Sequence, residues 1–265
     1  MSRKSRRIVT LVWVVGIIVL WELLSFALQY LFKDPMAASK LPYPHLIVVT
    51  IAQNWQSLLL DGATTFSRAA IGFVIGAFIG FVLAILMSLS KILEKITFPY
   101  LIISQMIPVL GLAPIIFNIV QDMNTSRIII AAYITFFPVA VNMLSGLKSV
   151  EQEKKELLHS IAAGRYDVYY KLMIPYSIPY LMTGLKITAP MAVTASILVD
   201  MLGSSNGIGV KILSALYSGS SDIFWASVVT SAIMGILSYY IVILVEKLFL
   251  PWKNSTTPQE AGANE

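Results

Sequence analysis

Apolar residues come in runs of roughly 20, long enough to cross a bilayer as helices, separated by short polar stretches. The runs predict six spans at Ile8–Phe32, Ala69–Leu89, Ile96–Val120, Ile128–Leu147, Tyr176–Leu202 and Ile223–Leu250. Between the first two, Leu41-Pro-Tyr-Pro44 reads as a turn, because each proline fixes its own φ and pushes its predecessor out of the helical region. Leu46 to Leu60 then predicts a short amphipathic helix at the interface, with Trp55 as its anchor. The most informative segment is Glu151 to Pro175, a polar island between the fourth and fifth runs. Val150, Leu157, Leu158 and Ile161 share one helical face there, and Glu151 and Lys155 can pair on another. Val168, Leu172 and Met173 give a second stripe after Ala162-Ala163-Gly164. Pro175 falls where a new span would begin and a missing N–H costs little. The island therefore reads as two short helices set at an angle.

Composition supports a membrane chain. Of 265 residues, 57% are hydrophobic and only 12% charged, against about 25% charged in soluble domains; mean hydropathy is +0.78. The absence of cysteine removes disulfides, thiolate metal sites and a cysteine nucleophile. The net charge of +5 resides in short inter-span segments rather than on one basic face, so it signals orientation and not nucleic-acid binding. Arg3, Lys4, Arg6, Arg7, Lys91, Lys95, the lysines and arginine of the 148–171 stretch, Lys247 and Lys253 place both termini and the polar island inside. Lys33, Lys40, Arg127 and Lys211 fall outside. The first run is too long for the apolar core of a cleaved signal peptide. This gives residues 1–7 as a cytoplasmic N-terminus, 8–250 as the membrane domain with the loop at 148–175, and 251–265 as a disordered cytoplasmic tail.

Inside the spans, Gly72, Gly76 and Gly80 form a stripe that admits close helix packing, either within the chain or across a dimer seam. Pro108, Pro114, Pro138 and Pro190 each free a backbone carbonyl that protein or a wet cavity must satisfy. Gln105, Asn118 and Asn142 are polar groups that need partners between helices or line a path. Glu22 either pairs structurally or has a function. Asp200, at the end of the fifth run, serves as a gate, as a contact for a soluble protein, or as a cap for the Gly203–Gly209 turn. His45 and His159 lie on opposite sides and cannot make one metal site. No G-x-x-x-x-G-K-[ST] phosphate loop occurs, so the chain cannot cradle ATP itself.

The polar island resembles the cytoplasmic loop of ATP-binding-cassette importer permeases. Counting back from Ile174-Pro175, Glu156 falls on that family's glutamate, Ala162 on its glycine and Arg165 on a basic position. Leu157 and Leu158 replace two alanines, and Gly164 is the glycine nearest the expected turn. An ordered set of further motifs resembles the sulfonate, taurine and nitrate permeases. These include Trp21-Glu22-Leu23-Leu24, Arg68 before Gly72-Phe73, Phe136-Phe137-Pro138, Thr183-Gly184-Leu185-Lys186, and Asp200-Met201-Leu202-Gly203 with Gly207-Ile208-Gly209.

The resemblance implies an all-α polytopic protein of about six spans with the type I importer fold, carrying coupling helices between spans four and five. It implies a multi-pass subunit of a bacterial plasma membrane. That subunit would be paired as a homodimer, served by a separate substrate-binding protein, and driven by ATPase subunits that hold ATP and Mg. Glu156, Leu157, Leu158, Ala162, Gly164, Arg165 and Pro175 are the coupling residues so implied, with Glu156 fixing the loop by capping its helix or pairing with a base. Gln105, Pro108, Asn142 and Asp200 are candidates for the path. The chain itself would carry no cofactor, metal or catalytic residue. A secondary transporter or channel would instead favour charged relays and an internal repeat, and a membrane enzyme would need a His/Asp or Ser/Lys cluster.

Overall fold

The computed structural model describes residues 3–250, and the described residues form helices and no strands. The expected tail at 251–265, including Lys253, lies outside them.

Helix α1 (Arg3–Phe26) continues through a π-helical turn, Ala27–Leu31, and a short α2 (Ala37–Lys40) follows. The Leu41–Pro44 turn forms: Tyr43 is extended, with φ −67° and ψ 130°, and Pro44 opens α3 (Pro44–Gln53). The predicted interfacial helix Leu46–Leu60 is not one element. It breaks at Asn54, and Trp55 begins α4 (Trp55–Leu89), a single helix of 35 residues. At 1.5 Å per residue α4 is about 52 Å long, well over the roughly 30 Å hydrocarbon thickness, so it projects beyond the bilayer or tilts.

The predicted third span is present but sharply broken. It is two helices, α5 (Lys91–Met106) and α6 (Val109–Val120), bent by 99°. Ile107 and Pro108 both take extended backbone at the break, as expected where a proline ring clashes with a helical predecessor. Then come α7 (Met123–Lys148), α8 (Gln152–Ser160), α9 (Arg165–Val168), a second π-helical turn at Tyr169–Met173, and α10 (Ile174–Met201). The described residues end with α11 (Ile208–Tyr217), which lies between the fifth and sixth predicted runs, and α12 (Ser221–Phe249).

Among the described residues five helices are long and apolar enough to cross a membrane, six if the bent pair counts as one. Burial ranks them. Half of the most apolar window of the α9–α10 run is buried, and 44% of that in α7, but only 6% in α1. The core is therefore α4, α7 and α10, with α1 at the edge. The glycine stripe explains the tightest contact. A Cβ on Gly72, Gly76 or Gly80 would come within 2.4 Å of the carbonyl oxygen of Ile128, Ala132 or Phe136 respectively. Both series advance four residues at a time, so the glycine groove of α4 receives the backbone of α7. The stripe is an intrachain seam.

Helix α1 is tethered at its far end. Trp21 Nε1 donates to the Pro42 carbonyl at 3.0 Å, and Ser25 Oγ to the same oxygen at 3.2 Å. Glu22 meets His45 Nδ1 at 2.5 Å, which makes it a structural partner.

The loop, the path and a buried ion pair

The polar island folds into α8 and α9, but the second helix does not stand alone. Helix α9, the π turn and α10 make one continuous run from Arg165 to Met201. Pro175 therefore sits in the first turn of α10 within that run and does not open a separate span. The widened turn precedes it, with the Ile174 N–H donating to Tyr169 O. Proline has no N–H to place in a regular ladder, so a wide turn at this position loses little.

Helix α8 is stopped two residues past its end by Ala162, whose φ is +59°. The Ala163 N–H then reaches back to Leu158 O at 3.0 Å, the six-to-one bond of a Schellman stop. Gly164 does not supply this turn. Its φ of −66° is ordinary, and it serves as the residue before α9 while its carbonyl accepts from the Val168 N–H at 3.1 Å. Alanine thus occupies the left-handed position that glycine fills at no steric cost.

The side chains of α8 divide by face. Leu157 is 66% exposed and Ile161, just beyond the helix, 70%. Lys155 and Leu158 are half-buried, and Val150 is buried before the helix begins. The predicted Glu151–Lys155 pair is replaced by Glu151–Lys154 at 3.1 Å; this hydrogen bond holds the Lys154 ammonium above its usual pKa. Lys154 also lies over the Tyr176 ring at 5.1 Å, tying α8 to α10. Glu156 is exposed and accepts from Gln152 Nε2 at 3.1 Å, one turn earlier on its own helix. Arg165 begins α9 and is exposed. His159 belongs to α8.

The four path candidates do not form one cluster. Three of them lie at different levels of α7. Asp200 lies at Arg127, Gln105 follows Ser104, whose carbonyl accepts from Tyr133, and Asn142 donates to the Pro138 carbonyl of its own helix at 2.7 Å. From residue 127 to residue 142 the rise is about 22 Å. Pro108 is at the exposed break between α5 and α6. Gln105 Nε2 is buried and has no partner among the described residues, a costly state for an amide.

Asp200 is not a surface gate. Its Oδ1 meets Arg127 Nε at 2.6 Å with both side chains fully buried. Thr65 Oγ1 donates to Oδ2 at 2.5 Å, and the Gly209 N–H approaches the same oxygen at 3.3 Å. Thr65 in turn accepts from the Ile208 N–H at 3.0 Å. Arg127 Nη2 donates to Asn206 O at 2.6 Å and to Ser204 Oγ. Gly207 is forced by this packing: its φ is +119°, and a Cβ would fall 2.3 Å from Asp200 Oδ2. The cluster joins α4, α7, α10 and α11. Arg127 and Thr65 were not legible as functional, since in the sequence Arg127 is one more basic residue at a span end.

A second pair crosses the spans. Lys186 Nζ on α10 meets both carboxylate oxygens of Glu246 on α12, at 3.1 and 3.0 Å. Among the described residues no group of three or more histidine, aspartate or glutamate side chains could hold a metal ion.

Known proteins resemble this sequence and this fold. A family model described as "Binding-protein-dependent transport system inner membrane component" matches residues 72–252. The formylaminopyrimidine transport permease protein ThiX of Halalkalibacterium halodurans is 27% identical over 255 residues, covering 96% of this chain and 99% of that one. The nitrate import permease protein NrtB of Leptolyngbya laminosa is 25% identical over 196 residues, covering 74% and 70%. A crystal structure of an amino acid ABC transporter shares the fold, with a TM-score of 0.60 over 78% of this chain and 97% of that one at 16% identity. The chain belongs to the binding-protein-dependent transport inner membrane family, the multi-pass, non-catalytic permease subunits of ATP-binding-cassette importers.

Proposed function

We propose that the 148–175 loop is where a separate ATPase takes hold of this permease, and that α10 carries its motion across the membrane. The observation behind this reading is the unbroken helical run from Arg165 to Met201. It starts in the loop and ends beside Asp200, which is locked to Arg127. A helix transmits a push along its axis, whereas a flexible linker would dissipate it. Helix α8 supplies the handle: a short helix with a defined stop, Leu157 exposed on it and Ile161 just beyond. Glu156, on the exposed side, is free to meet a basic group of the partner.

ATP and Mg belong on that partner. A substrate-binding protein would deliver solute to the opposite face, near the Asp200 end of α10. Two copies of the chain would enclose the path, with both termini and the loop in the cytoplasm, as the basic residues of the inner segments favour. Gln105, with its unpaired amide at the broken helix, is the path candidate that most needs a polar visitor. Asn142 already has a partner in its own helix, and Asp200 acts on the path through its ion pair. The names of the relatives, a formylaminopyrimidine permease and a nitrate permease, support a small organic or anionic solute.

Glu156→Ala tests the coupling role. In membrane vesicles with the cognate ATPase and binding protein, the variant should insert normally yet hydrolyse ATP without solute uptake. Uptake at the wild-type rate would remove the role given to Glu156. The chain purified by itself should hydrolyse no ATP.

A further inference from the structure

Behind α8, on the side away from Leu157, the structure has a basic cleft that the roles given to Leu157, Ile161 and Glu156 do not use. A cavity of about 400 Å³ is rimmed by Lys91, Lys95, Lys148 and Lys155 and floored by Met87, Leu147 and Met173. A second cavity of about 540 Å³ shares Ser88, Lys155 and Met173 with it and continues over Ile85, Leu89 and Ile174 to Arg165. Glu94 is the acidic residue of the first cavity, and Lys148 already engages it. Among the described residues no carboxylate lies within ion-pairing distance of Lys91, Lys95, Lys155 or Arg165. The N-terminus of α5 opens at Lys91 and adds its positive end to the same spot.

Two properties identify the occupant. The cleft joins a positive rim to a long apolar floor, which suits a molecule with an anionic head and a hydrocarbon tail and exceeds what a free anion needs. It also opens beside exposed apolar surface of the kind a bilayer covers, since Leu89 is 65%, Ile92 72% and Ile96 58% exposed. Lys155 and Leu157 are two residues apart on a helix and so point in nearly opposite directions. A partner on the Leu157 face therefore leaves the lysine cleft to the membrane.

We propose that this cleft binds an anionic phospholipid, its phosphate among Lys91, Lys95 and Lys155 and an acyl chain along Met173, Ile85 and Leu89. Basic pockets between membrane helices recognise acidic headgroups in this way. A bound lipid would wedge between α5, α8 and the start of α10 and fix the angle of the loop. The site is read from the cleft's own charge and lining and depends neither on the ATPase nor on which side of the membrane the loop occupies.

The test uses the full chain purified in neutral detergent, with native mass spectrometry counting phosphatidylglycerol against phosphatidylcholine retained at equal supply. The wild type should prefer phosphatidylglycerol, and Lys91→Gln and Lys95→Gln, both at exposed positions, should each lower that preference roughly fivefold. Lys40→Gln, a lysine remote in sequence and paired with Asp34, should leave it unchanged. Equal retention of the two lipids, or a preference untouched by either cleft substitution, would overturn the proposal. Release of the lipid by excess inorganic phosphate would make this a soluble-anion site and overturn it too. So would substitutions that abolish ATPase retention while the lipid preference stays intact, since the cleft would then belong to a protein interface.

Discussion

Ala162 holds a left-handed φ of +59°, a conformation that costs a residue with a Cβ roughly 1 kcal/mol. Ala162→Gly should relieve that strain, less the added freedom of glycine in the unfolded chain. The gain should appear as slower hydrogen exchange at the Ala163 amide with transport unchanged. Ala162→Val should do the reverse, fraying the last turn of α8 and weakening ATPase retention, because a β-branched residue is a true outlier at positive φ. Asp200 poses the opposite problem. Asp200→Ala strands the buried Arg127 guanidinium, and breaking one side of such a pair costs about 3–5 kcal/mol. Its apparent melting temperature in detergent should fall sharply, and the double variant Arg127→Met with Asp200→Leu should recover much of the loss. A double variant as unstable as the single one would mean that the ion pair itself, rather than an orphaned charge, sustains the α4–α7–α10–α11 junction.

Helix α4 meets α7 through backbone, and side chains on the glycine stripe have no room. Gly76→Leu should therefore force the two helices apart, at about 1–3 kcal/mol or more, and lower thermal stability in detergent. Gly111, with nothing within 4 Å of a would-be Cβ, should accept alanine without loss. The difference between these two glycines was not visible in the sequence, where both lie in apolar runs. The spacing of Gly72, Gly76 and Gly80 was visible, but only the structure shows that Ile128, Ala132 and Phe136 fill the groove. Span positions were legible wherever apolar residues ran unbroken. They were misread where polar residues are satisfied by distant partners. Asp61 and Thr65 depress the hydropathy of the first half of α4, yet Asp61 meets Lys211 at 2.7 Å and Thr65 meets Asp200 at 2.5 Å. Local pattern cannot register a partner about 135 residues or more away. The break at Pro108 was legible as a kink and not as a 99° turn, since proline dictates that a helix is interrupted and packing dictates the angle. In the candidate site, the loop was legible as helical and exposed, while the fusion of its second helix to α10 was hidden by Pro175.

The whole molecule joins an exposed handle to a buried lock through one long helix. Helix α10 is packed along α7 for most of its length and is pinned to α12 by Lys186 and Glu246. The poorly buried α1, the bent α5–α6 pair and much of α12 leave apolar surface for lipid or a second copy of the chain. In the coupling scheme proposed above, force would enter at α8 through Leu157 with Ile161 and leave near Asp200. The most direct measurement is co-purification of the cognate ATPase with the intact permease in detergent, comparing the wild type with a Leu157→Asp, Ile161→Asp variant of equal melting temperature. Loss of the ATPase from the variant, with the wild type retaining it, is the predicted result. Undiminished retention by the variant would contradict the placement of the drive on this loop.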